Sequence, residues 1–312
     1  MKGGMGMTWQ SELKRHLQKL SDFWVDRDFD SYQLMEDDER RAVHRKKVSL
    51  KERGVDILKA EVTGNIVGTM VQEQDRRVDY FYQLRLLQKQ RDVFFIEDVQ
   101  TSRQAIFKGE ELVVDSNRAL EGSTMSIEDS QENIPQLDAR MPGKGKGKSK
   151  GLIYDRLAAV KYADRWWNAY NANFKSFDVD CTNYVSQCAL AGGAPMNGQY
   201  NQHAGWWYEG NRWSLSWAVA HSFRWCLAGE DNGFGAVSVE HPEQLLPGDV
   251  ICYDFEGDGR WDHSTIVTEK DDNGMPLVNA HTTNSRHRYW DYEDSTAWTE
   301  NINYKFYHFN DE

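Results

Sequence analysis

The stretch Pro142-Gly143-Lys144-Gly145-Lys146-Gly147-Lys148-Ser149-Lys150-Gly151 constrains the chain more than any other. It holds no large apolar side chain, and its four alternating lysines repel one another. Such a run reads as a solvated tether rather than part of a core. From residue 116 onward the approach to it is also poor in large apolar groups. The expected layout is an accessory domain at 1–115, a linker at 116–151 and a second domain at 152–312. Composition changes at the same place. Residues 1–151 carry 26 Lys and Arg against 26 Asp and Glu, whereas 152–312 carry 11 against 23, so the whole net charge of -12 lies in the second part. Ten of the 12 tryptophans lie there too. An acidic surface of that kind argues against nucleic acid as its partner, because phosphate binding needs a basic face.

Four cysteines, Cys181, Cys188, Cys226 and Cys252, form neither a CxxC pair nor a zinc spacing, and they do not resemble a disulfide framework. His203, His221, His241 and His287 are scattered. No cofactor or metal is expected. No apolar run of signal-peptide or membrane-spanning length is seen, so the expectation is a cytoplasmic protein that does not enter a membrane. Release by lysis or packaging elsewhere is compatible with that expectation.

The first half reads as α+β. Leu13, Leu17, Leu20 and Trp24 recur at helical spacing after Thr8. Residues 26–54 are strongly charged and suit helix plus loop. Strands are expected at 55–62, 65–72, 77–88, 92–99 and 103–108, rich in Val, Ile, Phe and Tyr and punctuated by Gly64 and Gly109. Nothing here has catalytic or metal spacing, so the half is expected to serve as a scaffold, a regulator or a protein-binding module.

In the second half, a helix carries Ala158, Tyr162, Ala163, Trp166 and Tyr170 on one face. Asp180 is then a good N-cap for a helix running to Gly192-Gly193. Cys181 falls in its first turn, where unpaired N–H groups and the helix dipole favour the thiolate, which is the nucleophilic form. Cys188, seven residues on, reads as structural. Gly205-Trp206-Trp207-Tyr208 and Trp213-Ser214-Leu215-Ser216-Trp217 lead into a helix ending near Gly229. Trp206 and Trp207 either fill the core or line a substrate groove.

Leu246–Asp254 reads as a turn into a strand, and His263–Thr268 as the returning strand with His263 at its first position. Asn273-Gly274 is a strong hairpin turn, and Pro276–Thr282 is the third strand. Asn279 and His281 share a face of that strand, because side chains alternate. A cysteine nucleophile needs a base within reach and a third group to orient the base. A helix-start thiol, a strand-borne imidazole and a polar group on the next strand meet those needs, and the Cys181 N–H could serve an oxyanion. Asp254, Glu256, Asp258 and Asp262 also fall at calcium-loop positions, but residue 265 is Thr where a Glu is required. A turn with solvated acids accounts for them as well.

Asp180-Cys181-Thr182-Asn183-Tyr184-Val185-Ser186-Gln187, Ala191-Gly192-Gly193, Trp206-Trp207-Tyr208, Ser216-Trp217, Gly248-Asp249-Val250-Ile251, Asp262-His263-Ser264, Ile266-Val267-Thr268 and His281-Thr282 resemble the bacterial Putative amidase domain family over about 152–309. That family is similar to the NlpC-type and CHAP cell-wall peptidases. The resemblance implies a papain-like fold, Cys181 as nucleophile and His263 as base. The third place goes to Asn279 on the NlpC-type pattern, or to His281 through the family's own His-Thr pair. Asp180, Asn183, Trp206 and Trp207 are the candidate substrate-binding residues, and the implied substrate is an amide bond in a peptide or peptidoglycan. The competing expectation is a glycan- or peptide-binding protein that keeps the fold without turnover.

Overall fold

The first strand of the chain is far longer than its glycines suggest. The computed structural model describes residues 8–25, 35–118, 154–198, 201–229 and 235–310. These fall into two compact units, one of residues 8–118 with Tyr292–Thr296, the other of 154–291 with 297–310. The first unit contains helices α1 (Trp9–Val25) and α2 (Asp37–Glu52) and strands β1 (Val55–Gln72), β2 (Asp75–Gln90), β3 (Val93–Lys108) and β4 (Glu111–Asn117). The strands follow one another as an antiparallel meander. Leu13, Leu17, Leu20 and Trp24 of α1 pack on Ala60, Val78, Tyr80, Leu84 and Phe107, which is the amphipathic face expected from their spacing.

The five expected strands of this half merge into three, and β4 is added. Gly64 is not a turn: a Cβ there would lie 2.8 Å from Leu17 Cδ1 and 3.1 Å from Tyr80 Cδ2, so the glycine lets α1 approach a continuous strand. The expected boundary at 115 falls inside β4, and the tether at 142–151 lies outside the described residues. Buried Asp115 gathers the unit's polar contacts. His16 Nε2 lies 2.6 Å from it, the Tyr80 hydroxyl donates at 2.9 Å and Arg103 Nε at 3.2 Å. Arg103 also pairs with Glu39, so one buried network joins both helices to the sheet.

In the second unit α3 (Arg156–Trp166) and α4 (Cys181–Ala191) are followed by the two-residue strands β5 (Tyr208–Glu209) and β6 (Arg212–Trp213) and by helices α5 (Leu215–Ala218) and α6 (Ala220–Ala228). Strands β7 (Ala236–Val239), β8 (Val250–Asp254), β9 (His263–Lys270), β10 (Pro276–Ala280), β11 (Asn284–Tyr289) and β12 (Asn303–Phe309) complete it. Their order is β11-β10-β9-β8-β12-β7, all antiparallel. One face is covered by helices. Tyr184, Val185, Cys188 and Ala189 of α4 share a core with Val250, Cys252 and Ile266 of the sheet. α4 ends at Gly192, where Tyr154 lies so close that only glycine fits. Asp249, at the turn into β8, binds Arg156 Nη1 at 2.7 Å, His308 Nδ1 at 2.8 Å and the Phe309 N–H at 2.9 Å. It thereby holds the unit's first helix against its last strand.

The fold is thus mixed α and β with antiparallel sheets, as the sequence leads one to expect. No described helix is long and apolar enough to cross a membrane.

Candidate active site

α4 starts where the sequence says it should, but its first turn is wired differently. Asp180 stands at the N-cap with φ -111° and ψ 1°, yet its carboxylate does not cap the helix. Oδ1 accepts instead from the Phe177 N–H and from Asn183 Nδ2, both at 2.9 Å, and Oδ2 lies 2.8 Å from His281 Nδ1. The Asp180 N–H donates to Thr282 Oγ1 at 3.2 Å. The carboxylate therefore fixes the loop that enters the helix, and the pair Asp180–His281 joins that loop to the end of β10.

Cys181 is 2% exposed, and its sulfur has polar neighbours. Sγ is 3.8 Å from Thr182 Oγ1 and takes the backbone N–H of Ser264. Thr182 Oγ1 and Ser264 Oγ are 3.3 Å apart, so two contacts tie the helix start to the start of β9. Burial pushes the Cys181 thiol up, the Ser264 N–H and the Thr182 hydroxyl oppose that rise, and the Asp180 charge adds to it. The thiolate expected from the helix start is thus outweighed: the dipole of an eleven-residue helix is worth about 1 kcal/mol, less than complete desolvation of a thiolate.

His263 opens β9, as expected, opposite Tyr253 of β8. Strand alternation then separates it from the sulfur. Ser264 faces α4, so His263 turns the other way, with its ring 5.6 Å from Tyr253 and 6.1 Å from Phe255. No sulfur–imidazole hydrogen bond joins Cys181 to His263; the sulfur meets the peptide that follows His263 instead. Burial, with Arg288 nearby, lowers the imidazole to about 3. Both groups rest neutral.

Neither candidate for the third place bonds to His263. Asn279 is fully buried. Its Nδ2 donates to Asp164 at 3.0 Å, and its Oδ1 accepts from Thr268 Oγ1 at 2.8 Å and from the His287 N–H at 2.9 Å. His281 has one nitrogen on Asp180 and the other 2.7 Å from the Trp166 carbonyl, with its ring stacked on Tyr184 at 4.0 Å. Asn279 thus links β10 to α3 and β9, while His281 serves Asp180.

The expected substrate-binding residues are also interior. Trp206 and Trp207 are 0% and 2% exposed, and their indole N–H groups donate to Ser186 Oγ and to the Asn201 and Ala204 carbonyls. They fill the core and do not line a groove. Asn183 is buried between the Lys175 carbonyl, Asp180 and Trp217 Nε1. Sequence reading passed over Ser264, Thr182 and Asp164. The first two were visible in principle, because alternation around buried Ile266 already places Ser264 on the helix side.

Asp254, Glu256 and Asp262 bring ligand oxygens within 4.8 Å of one another, as a cation site would. Asp254 is already occupied, however, accepting from the N–H groups of Gly257, Asp258 and Gly259. The cluster is the closing turn of the β8–β9 hairpin.

Residues 153–307 match the model of the Putative amidase domain. YhbB, an uncharacterized protein of Bacillus subtilis (strain 168), is 42% identical over 277 residues, covering 87% of each chain. A second uncharacterized protein of that organism, YjcM, is 33% identical over 140 residues, 42% of this chain and 31% of YjcM. No solved structure matches the chain significantly. Helix start, β9 and β10 all lie within the matched span, and the chain belongs to the family of YhbB, with a domain of the Putative amidase type in its second half.

Proposed function

We propose that the second unit is a cysteine amidohydrolase of papain-like type, acting on amide bonds of peptides or peptidoglycan. Cys181 is its nucleophile and His263 its base. The observation that carries this reading is the junction of α4 with β9. The Cys181 sulfur takes the N–H of Ser264, and three covalent bonds separate that nitrogen from His263 Cβ. Because Ser264 faces α4 and His263 faces away, bringing the imidazole to the sulfur requires the peptide at the start of β9 to turn, and that rearrangement on substrate entry is part of this proposal.

The chemistry then runs from neutral partners. His263 takes the Cys181 proton as Sγ attacks the carbonyl carbon, and the C–O π electrons move to oxygen, where the Cys181 N–H stands ready. The imidazolium protonates the leaving amine as the C–N bond breaks, which leaves a thioester. Water, deprotonated by His263, releases the acid and restores the thiol. A low imidazole pKa keeps His263 an acceptor at rest, while a buried thiol stays unreactive until substrate enters.

The absence of a sulfur–imidazole bond favours a second reading, in which the unit binds glycan or peptide without turnover. One experiment separates the two. The protein is incubated with a peptide acyloxymethyl ketone and, separately, with peptide and muropeptide amides. The amidase reading expects labelling and turnover that disappear in Cys181→Ala and fall at least about hundredfold in His263→Ala. Turnover that survives in Cys181→Ala would remove Cys181 from the mechanism. Binding without turnover by the unaltered protein would establish the second reading.

A further inference from the structure

β1 ends its sheet. It pairs with β2 on one side and, among the described residues, with no strand on the other. A sheet edge of that length is a template for another strand unless charge, proline or brevity protects it. From Val62 to Gln72 β1 has neither a charged residue nor a proline. Its apolar side chains are also uncovered on both faces, with Ile66 48%, Val67 59%, Met70 64% and Val71 58% exposed. Nothing in the packing of the unit requires four such exposed side chains between residues 66 and 71.

The segment is close to a palindrome. About Ile66 as centre, an antiparallel copy places Asn65 opposite Val67, Gly64 opposite Gly68, Thr63 opposite Thr69 and Val62 opposite Met70. Gly64 meets Gly68, Thr63 meets Thr69 and Val62 meets Met70, which are compatible cross-strand pairs, while Asn65 meets Val67 beside the axis and Glu61 meets Val71. Further out, Lys59 falls opposite Glu73, and no like charges face each other. A two-fold interface requires this self-complementarity, because the same patch serves both partners. From this we infer that β1 is a dimerisation strand, whose occupant is β1 of a second copy of this chain in antiparallel register about Ile66. Of the two extra residues of β1 in its ladder with β2, Leu58 and Val67, the second lies beside the two-fold axis, where its kink is matched by that of the copy.

Sedimentation velocity and a cysteine cross-link on the full chain test this. The protein is expected to be a dimer at about 50 μM. Ile66→Lys, which places two ammonium groups face to face at the axis, is expected to weaken association at least about tenfold. Met70→Lys, an exposed change with little bearing on the fold, is expected to act in the same direction, with unaltered circular dichroism as the check on folding. Ile66→Cys is expected to form an intermolecular disulfide on mild oxidation, since paired strands bring Cα atoms to about 5 Å. Phe94→Cys, exposed on β3, is expected not to. A monomer at 50 μM, a dimer indifferent to both lysines, or equal cross-linking at 94 would overturn the proposal. Binding of a monomer to phosphatidylglycerol vesicles would overturn it too and assign the strand to a lipid surface.

Discussion

Nδ1 of His281 lies 2.8 Å from Oδ2 of Asp180, and its other ring nitrogen faces the carbonyl of Trp166. The ring is thus held at both nitrogens, between a carboxylate and a carbonyl. Both side chains are buried, so removing either one leaves a buried polar partner unsatisfied. His281→Gln and Asp180→Asn should each cost about 3–5 kcal/mol, and the double variant less than their sum. Urea denaturation of the four proteins checks it; additive losses would show that the pair does not act as a unit.

His263 makes the protein sensitive to acid in a definite direction. Its imidazole, lowered to about 3, refuses a proton that the unfolded chain accepts near pH 6.5. The contribution is therefore complete above about pH 6.5 and is lost as pH falls toward 3, reaching about 3 kcal/mol at pH 4.5. His263→Gln should flatten that part of the stability profile relative to the unaltered protein. Parallel thermal melts from pH 4.5 to 7.5 give the comparison, and identical slopes would contradict the burial described.

Cys181 should behave as a reluctant thiol. Burial is the main cause, with Asp180 contributing, so labelling by iodoacetamide in the folded protein should rise only above the ordinary thiol range. Asp180→Asn removes the neighbouring charge and should move the labelling profile to lower pH. Mass spectrometry of the Cys181 peptide against pH reads both, and a profile centred below the ordinary thiol value would restore the helix-start expectation.

A single methyl group tests the packing behind the site. A Cβ on residue 192 would collide with the Tyr154 ring and lie 3.1 Å from the Ala159 Cβ. Gly192→Ala should cost about 2 kcal/mol through overpacking, although alanine is otherwise the better helix former. A neutral or stabilising outcome in chemical denaturation would mean that Tyr154 moves aside freely.

Periodicity and turn chemistry made much of the fold legible. The α1 stripe, the start of α4 at Cys181 and its end at Gly192, the α6 stop at Gly229, the first position of β9 and the Asn273-Gly274 turn all stand where local signals put them. Errors arose where a distant contact decides. Gly64 reads as a break until Leu17 is seen above it. Whether Trp206 and Trp207 fill the core or line a groove stays open until Ser186 and the Asn201 carbonyl are seen to take their N–H groups. The site shows the same division. The positions of Cys181 at a helix start and His263 at a strand start were legible locally, but which face of β9 meets α4 depends on register, and Asp164 beside Asn279 and Asp180 beside His281 lie more than a hundred residues away.

Asp249 has a consequence for the topology of the second unit. One carboxylate grips the beginning of that unit at Arg156 and its end at His308 and Phe309, and Tyr154 stacks on Phe309 at 4.6 Å. Start and finish are neighbours in space, so the polypeptide here is close to a closed ring. Linking those termini and opening the chain at an exposed turn such as Asn273-Gly274 should yield a permuted protein that refolds, whereas truncating the chain after His308 should unlock a helix some 150 residues upstream.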